Sequence, residues 1–184
     1  MRFTLPKLPT TLLASAALLC ATQVAHAQEQ MPEDKSKRPS PPAVVTTDVQ
    51  GTTITIDYSR PSLNGRAAFG EKTPLAPSGE VWRTGANEAT TFTVSKAVKI
   101  EGQALPAGTY GLFTIPGASE WTIVFNKTAK QWGAYKYDAK EDALRVKVKP
   151  KTLGQPVEQF TITADKTGKV ALTWAKTEVD FKVK

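Results

Sequence analysis

The sequence predicts an all-β domain, an antiparallel two-sheet β-sandwich of about eight or nine strands. Apolar and polar residues alternate with a period of two in most segments, and turns rich in Gly and Pro separate these segments. After the first 27 residues, no stretch has a sustained helical spacing. Half-buried antiparallel strands produce this alternation. A closed β-barrel is the alternative architecture.

The first 27 residues have the three parts of a secretory signal peptide. Arg2 and Lys7 form a basic start, residues 11–21 form an apolar run, and Ala-His-Ala at 25–27 is a small-x-small cleavage motif. The run is shorter than the roughly 20 apolar residues that a membrane-spanning helix needs. We therefore expect cleavage after residue 27, no transmembrane segment in the mature protein, and export to the periplasm or the cell surface.

A polar segment follows the predicted cleavage site. Residues 28–42 read QEQMPEDKSKRPSPP and hold too few apolar side chains to order themselves. The composition predicts a disordered, proline-rich tether. The remaining residues, 43–184, are then predicted to form a single β-sandwich domain.

Strand positions follow from the alternating residues. The residues expected to face the core are Ile54, Ile56 and Tyr58; Phe92 and Val94; Trp121, Ile123 and Phe125; Leu144, Val146 and Val148; Phe160 and Ile162; Val170, Leu172 and Trp174; and Val179, Phe181 and Val183. Residues 110–115 are apolar on both faces, which predicts a central strand. Residues 165–168 predict a hairpin turn.

The composition excludes several kinds of chemistry. Cys20 and His26 are the only cysteine and histidine in the chain, and both lie in the predicted signal peptide. Cleavage would leave no Ser-His or Cys nucleophile, no intramolecular disulfide and no zinc site with His or Cys ligands. We predict no cofactor, and we expect a binding protein more than an enzyme. The net charge of +7 comes from scattered basic residues, so nucleic acid is not an expected partner.

Arginines and glutamates concentrate in the long connection 58–80 and in the stretch VWRTGANEAT at 81–90. These residues are Arg60, Arg66, Glu71, Glu80, Arg83 and Glu88. Connections longer than about 15 residues are uncommon in compact domains and are often functional. Because the planar guanidinium suits carboxylate or phosphate, the cluster predicts a site for an anionic ligand.

A structural interpretation of the same residues is also open. Arg83 could pair with Glu88, while Arg60 and Arg66 could pair with glutamates of their own connection. Asn87 could be present because a turn needs a left-handed backbone angle. In that case the stretch is a turn that holds itself together.

Aromatic and acidic residues add two further candidates. Trp82 and Trp132 lie beside glycines and loops, where an exposed ring could stack on a sugar or cover a pocket. The acidic group Asp138, Glu141 and Asp142 could offer oxygens to calcium, but its spacing matches no EF-hand loop. A solvated acidic turn is the favoured interpretation of that group.

Five segments resemble a known family when taken in order. YSRPSLNGR, VWRTGANEATTF, LPAGTYGLFTIPG, EWTIVFNK and QWGAYKYDAKEDALRVKVKP are similar to the bacterial domain-of-unknown-function family numbered 2911, over about residues 44–181. The resemblance implies one exported domain, and it implies no activity or catalytic residues, because none is established for the family. The family's motif positions in this chain are Arg60, Pro61, Gly65, Arg66, Trp82, Arg83, Thr84, Gly85, Asn87, Glu88, Gly108, Tyr110, Trp121, Trp132, Gly133 and Asp138.

Three functions fit these observations. The first is a non-catalytic periplasmic or cell-surface module that binds a small anionic or sugar-like ligand. The predicted ligand-binding residues are Arg60, Arg66, Trp82, Arg83, Asn87, Glu88, Trp132 and Asp138. The second is a hydrolase that uses two carboxylates, Glu88 with Asp138 or Glu80. The third is a structural or assembly protein that binds another envelope protein.

Overall fold

Two layers of β-structure make up the fold, which a computed structural model describes for residues 34–70 and 75–184. Twelve strands and two 3-10 helices, η1 and η2, lie in this part of the chain. The strands are β1 (Pro42–Val49), β2 (Thr52–Ser59), β3 (Phe69–Gly70), β4 (Ala76–Pro77), β5 (Thr91–Val94), β6 (Val98–Ile100), β7 (Gln103–Leu105), β8 (Gly108–Ile115), β9 (Trp121–Asn126), β10 (Asp142–Val148), β11 (Lys151–Ala164) and β12 (Lys169–Lys182). The helices are η1 (Lys35–Lys37) and η2 (Ala139–Glu141).

The larger sheet has six strands in the order β1-β2-β5-β8-β9-β10. Every neighbouring pair in it is antiparallel. It is an open sheet, because β1 and β10 at its two ends do not pair with each other. The long hairpin β11-β12 forms the second layer, and β3-β4 and β6-β7 are small additional pairs. The predicted two-sheet sandwich is confirmed, and the closed barrel is not formed.

Aromatic side chains join the two layers in the core. Phe92 of β5 and Phe125 of β9 lie with ring centroids 5.0 Å apart. Phe181 of β12 contacts both rings, at 6.0 Å and 5.7 Å, in edge-to-face geometry. Aromatic pairs in this geometry add about 0.5 to 1.5 kcal/mol beyond the effect of burial alone. The period-two pattern thus places its apolar face between the layers.

The central strand is confirmed at β8, which lies between β5 and β9. Leu112 faces the main core, whereas Phe113 faces a second cluster with Ala89 and Val124. Both faces of β8 are therefore covered by apolar side chains. This explains why residues 110–115 show no polar face.

Two strands differ from the sequence pattern. β1 (Pro42–Val49) precedes the first strand that the alternation identified, and it pairs with β2 through a turn at Gln50 and Gly51. Both turn residues have positive φ, 53° and 77°, as the favoured two-residue hairpin turns require. Near the end of the chain, β12 is one continuous strand where two had been predicted. Among the described residues, no helix is long and apolar enough to span a membrane.

The structure also differs from the predicted tether over residues 34–41. Asp34 caps η1, and its Oδ1 accepts a hydrogen bond of 3.2 Å from the N–H of Ser36. The carbonyl of Pro41 accepts one of 2.9 Å from the N–H of Arg60. This segment, which we call the N-terminal arm (34–41), contacts the domain. Residues 1–33 lie outside the described residues, so the signal peptide and the rest of the tether stay predictions.

Candidate functional site

Residues 81–90 form a turn between β4 and β5 that is closed by its own hydrogen bonds. Trp82 exchanges two backbone bonds with Thr114 of β8, of 2.8 Å and 3.0 Å. The N–H of Thr90 donates to the carbonyl of Arg83 at 3.2 Å, and the Thr90 hydroxyl donates to the carbonyl of Thr84 at 2.6 Å. Thr84 and Asn87 have φ of 57° and 58°, so the chain is left-handed at both positions. The predicted turn geometry at Asn87 is therefore present.

Gly85 allows this turn to approach β2 closely. A Cβ added at Gly85 would lie 2.8 Å from the carbonyl oxygen of Ser59, and the φ of Gly85 is 152°. Both observations require glycine at this position. The turn is consequently held against the end of β2, where the N-terminal arm also passes.

Trp82 lies in the core and is not exposed beside the turn as predicted. It is 3% exposed, and its ring stacks on that of Trp174 at 5.7 Å with an interplanar angle of 11°. Its indole N–H donates to the carbonyl of Gly85 at 3.1 Å. Trp82 thus fixes the turn from the core side. It presents no exposed ring to a ligand.

Arg83 lines a small pocket of about 220 Å³ at the surface of the turn. We call it the Arg83 pocket. Its lining residues are Ser40, Pro61, Arg66, Leu75, Arg83, Gly85, Ala86, Asn87 and Trp174. Of the predicted site residues, the structure brings Arg66, Arg83 and Asn87 together here. None of the lining residues in 34–70 and 75–184 is acidic.

The guanidinium of Arg83 has no counter-ion in the described part of the chain. Its Nε is buried without a hydrogen-bond partner, and no described carboxylate forms an ion pair with Arg83. Burial lowers the pKa of Arg83, and the nearby Tyr135 partly opposes that shift. An arginine nevertheless stays protonated at neutral pH. Among the residues that the structure describes, no acidic side chain therefore compensates the positive charge of the pocket.

The other two arginines are held by backbone and hydroxyl oxygens. Arg66 is exposed, and its Nε and Nη2 donate to the carbonyls of Leu63 and Ser62, each at 3.0 Å. These bonds hold a second cation at the Arg83 pocket. Arg60 donates to the carbonyl of Phe160 at 3.2 Å and to the hydroxyl of Thr161 at 2.9 Å. Arg60 thus ties the end of β2 to β11 and does not line the pocket.

Glu88 pairs with the N-terminal arm and not with Arg83. Its carboxylate lies 2.7 Å from Nη1 of Arg38 and 2.9 Å from Nζ of Lys35. Partial burial opposes ionisation, but the hydrogen bonds from Lys35 and Arg38 outweigh it and lower the pKa of Glu88 to about 2. The proposed Arg83–Glu88 ion pair is therefore replaced by pairs with residues that the sequence had assigned to a tether.

Asn87 connects the pocket to the arm and to the segment that carries Trp132. Its side-chain amide donates to the carbonyl of Ser40 at 3.0 Å and to the hydroxyl of Ser59 at 3.3 Å. Its own carbonyl accepts a bond of 2.9 Å from the N–H of Gly133. The sequence predicted an exposed ring at both Trp82 and Trp132, and of the two only Trp132 is exposed, at 55%.

Asp138 does not line the pocket. Its Oδ1 accepts a hydrogen bond of 2.9 Å from the N–H of Lys140, so it caps η2. Its neighbour Asp142 is bound by Tyr137, Arg145 and Asn126. In the part of the chain that the structure describes, no three His, Cys, Asp or Glu side chains are grouped so as to hold a metal ion.

No pattern in the sequence predicted the two contributions of the N-terminal arm to the site. The arm supplies Ser40 to the pocket wall and supplies Lys35 and Arg38 to Glu88. These contacts join residues about fifty positions apart, and no local pattern encodes them. The polar composition of the arm predicted a tether. Its ordering depends on partners in a distant segment, which composition does not show.

The family model described as "Protein of unknown function (DUF2911)" matches residues 40–183. The chain belongs to this family. The match covers the turn, the pocket and both layers of the sandwich, and the resemblance stated from the sequence is confirmed. No curated protein and no solved structure matched the chain.

Proposed function

We propose that this DUF2911 domain is a non-catalytic binding module that takes a small anionic ligand in the Arg83 pocket. One observation carries the proposal: Arg83 brings a positive charge to a pocket that has no acidic residue in its described lining. An unpaired buried charge is costly to a fold. A bound anion would remove that cost by supplying the missing hydrogen-bond acceptor.

The rest of the lining supports an anion. Arg66 contributes a second cation, and its backbone contacts hold the side chain at the pocket. Asn87 contributes a polar side chain that is already oriented by Ser40 and Ser59. Charge-assisted hydrogen bonds from a planar guanidinium are stronger than neutral ones and select carboxylate or phosphate.

The carboxylate hydrolase is less well supported. A general acid needs a proton to donate at the working pH. The pKa of Glu88 is about 2, and both of its oxygens are engaged by cations of the arm. Neither Glu80 nor Asp138 lines the Arg83 pocket.

We further infer that the module works in the periplasm or at the cell surface. The basic start, the apolar run and the Ala-His-Ala motif of the first 27 residues support this location. Cell fractionation followed by N-terminal sequencing tests it. A protein recovered from the cytoplasm with its first residues intact would contradict it.

Titration calorimetry at low ionic strength tests the binding proposal. Sodium acetate and sodium phosphate are titrated into the protein, and we expect at least one of them to bind. Arg83→Met removes the charge and keeps most of the side-chain length, so it should abolish the heat of binding. The matched control is Lys166→Met, which removes one exposed positive charge from the β11–β12 turn.

Two results decide the matter. Binding that is lost in Arg83→Met and retained in Lys166→Met supports the pocket. Equal affinity in both variants, or no binding of either anion by the wild type, overturns it. A ligand at 100 times its Kd should also stabilise the wild type by about 2.7 kcal/mol, which thermal unfolding can measure.

A further inference from the structure

Two exposed aromatic side chains lie on the segment 132–135, which is hydrogen-bonded to Asn87 of the Arg83 pocket and which we call the rim. Among the large hydrophobic side chains of the described residues, the exposed ones are Val44, Trp132 and Tyr135, at 61%, 55% and 87%. Trp132 and Tyr135 are only three residues apart, on the segment whose backbone is hydrogen-bonded to Asn87. Exposed apolar side chains that cluster at one place mark a binding surface more often than scattered ones do.

A backbone hydrogen bond joins the rim to a residue that lines the pocket. The N–H of Gly133 donates to the carbonyl of Asn87 at 2.9 Å, and Asn87 lines the pocket. The ring of Tyr135 covers Gly133 so closely that a Cβ there would lie 3.1 Å from a ring carbon. Tyr135 is also near enough to Arg83 to influence the pKa of its guanidinium.

Trp132, on the same segment, is fixed by two contacts. It forms a β-bridge with Glu88, directly next to the Asn87–Gly133 bond. The guanidinium carbon of Arg38 lies 5.7 Å from the centre of its ring, and Arg38 is itself bound to Glu88. A cation over an aromatic face is attracted to the ring, so this contact orients Trp132. The rim therefore presents two aromatic side chains, and it is joined through Asn87 to the pocket of an arginine that has no acidic partner among the described residues.

The size of the pocket indicates which part of a ligand can enter it. At about 220 Å³ it is smaller than the roughly 300 to 1,000 Å³ of sites that enclose whole organic ligands. It has room for a charged group, while the remainder of the ligand must lie outside it on the rim. A bare phosphate or sulfate would make no use of the rings.

We propose that the ligand is an acidic sugar, a uronic acid residue whose carboxylate binds Arg83 and whose ring packs on Tyr135 and Trp132. This inference rests on the proposed function and names the ligand class of the same site. Sugar rings have apolar C–H faces that pack on aromatic side chains, and the carboxylate matches the two-pronged guanidinium. Tyr135 also offers a hydroxyl for the sugar's own hydroxyl groups.

Calorimetry with four probes tests the ligand class. Sodium acetate supplies the charge alone, glucose the ring alone, sodium glucuronate both together, and sodium phosphate a charge of another shape. We expect glucuronate to bind at least tenfold more tightly than acetate, phosphate or glucose. Tyr135→Ala and Trp132→Ala should each weaken glucuronate about threefold to tenfold and leave acetate unchanged. Val44→Ala, at the third exposed apolar position, should change neither.

The outcomes separate this inference from the proposed function. If no anion binds, both fail. If acetate binds in an Arg83-dependent manner but glucuronate binds no better, the acidic sugar is wrong and the anion module stands. The same holds if phosphate binds more tightly than glucuronate. Urea unfolding of the two aromatic variants provides the folding control, since exposed side chains should change stability by less than about 0.5 kcal/mol.

Discussion

Arg83 lies in the turn before β5 and Arg145 lies in β10, and the two side chains have opposite surroundings. Arg145 donates to Asp142 at 2.6 Å and to the hydroxyl of Tyr137 at 2.7 Å. The hydrogen bond with Asp142 raises the pKa of Arg145, whereas burial lowers the pKa of Arg83. Arg145 makes two side-chain hydrogen bonds within the fold, and Arg83 has no described partner. The difference separates an arginine that is paired within the fold from one that the proposed ligand would pair.

The network around Asp142 leaves no polar group unpaired at its centre. Asp142 accepts from Asn126 at 2.8 Å and from Tyr137 at 2.8 Å, in addition to Arg145. Asn126 is fully buried, and its other contacts reach Asp138 and Thr128. Near Arg83, by contrast, the one nearby acid of the turn, Glu88, is bound by the arm. Among the described residues, the positions of Asp142 and Glu88 thus decide which of the two arginines has an acidic partner.

The largest effect is expected for Asp142→Ala. The change would remove one of two acceptors from the buried amide of Asn126 and the acceptor of the half-buried Tyr137 hydroxyl, and it would leave Arg145 without its carboxylate. We therefore expect a loss of about 3 kcal/mol in the free energy of unfolding. Urea unfolding at neutral pH measures it. Glu141→Ala removes the adjacent exposed carboxylate and should change stability by less than about 0.5 kcal/mol. Similar losses in both variants would contradict a special role for the network.

Arg83→Met is expected to have a smaller effect on stability, of the opposite sign. Because it removes an unpaired buried charge, we expect unchanged stability or a gain of up to about 1 kcal/mol without ligand. Arg145→Met is the matched control, and it should lose about 1 kcal/mol because it breaks two hydrogen bonds. The same unfolding experiment compares them. A loss of about 3 kcal/mol in Arg83→Met would instead assign Arg83 a structural role.

The strands could be predicted because their signal is local. Side chains alternate between the faces of a strand, so the core positions of β2, β5, β9 and β12 follow directly from the sequence. β1 was missed because Thr46, Thr47 and Asp48 dilute its apolar pattern. The order of strands in the six-stranded sheet depends on contacts between distant segments. No local periodicity contains that information.

Part of the candidate site could be predicted from the sequence, as part of the fold could. Arg66, Arg83 and Asn87 meet in one pocket, as their density along the chain suggested. Trp82 was misplaced because the glycine beside it indicated a loop, whereas its ring reaches into the core and stacks on Trp174 of β12. The partners of Glu88 were missed because they lie on the arm. Both errors concern contacts between segments far apart in sequence.

The smallest effect is expected for Glu88→Gln, and it should depend on pH. The arm lowers the pKa of Glu88 from an ordinary 4.5 to about 2, so ionised Glu88 favours the folded state. This contribution is present above about pH 4.5 and is lost as the pH falls through about 2. Since the side chain is 38% exposed, solvent screens the pair, and we expect no more than about 1 kcal/mol at neutral pH.

Urea unfolding of the wild type and Glu88→Gln at pH 7, 4 and 2.5 measures this contribution, with Glu141→Gln as the control carboxylate. The gap between wild type and Glu88→Gln should narrow as the pH falls. A gap in the free energy of unfolding that stays constant would mean that the charge of Glu88 does not hold the arm.

The affinity for acetate provides a second measurement. If the arm did not hold Glu88, its carboxylate could compete with acetate for Arg83, and Glu88→Gln should then bind acetate more tightly than the wild type. If the arm does hold Glu88, the same substitution should leave acetate affinity at Arg83 unchanged.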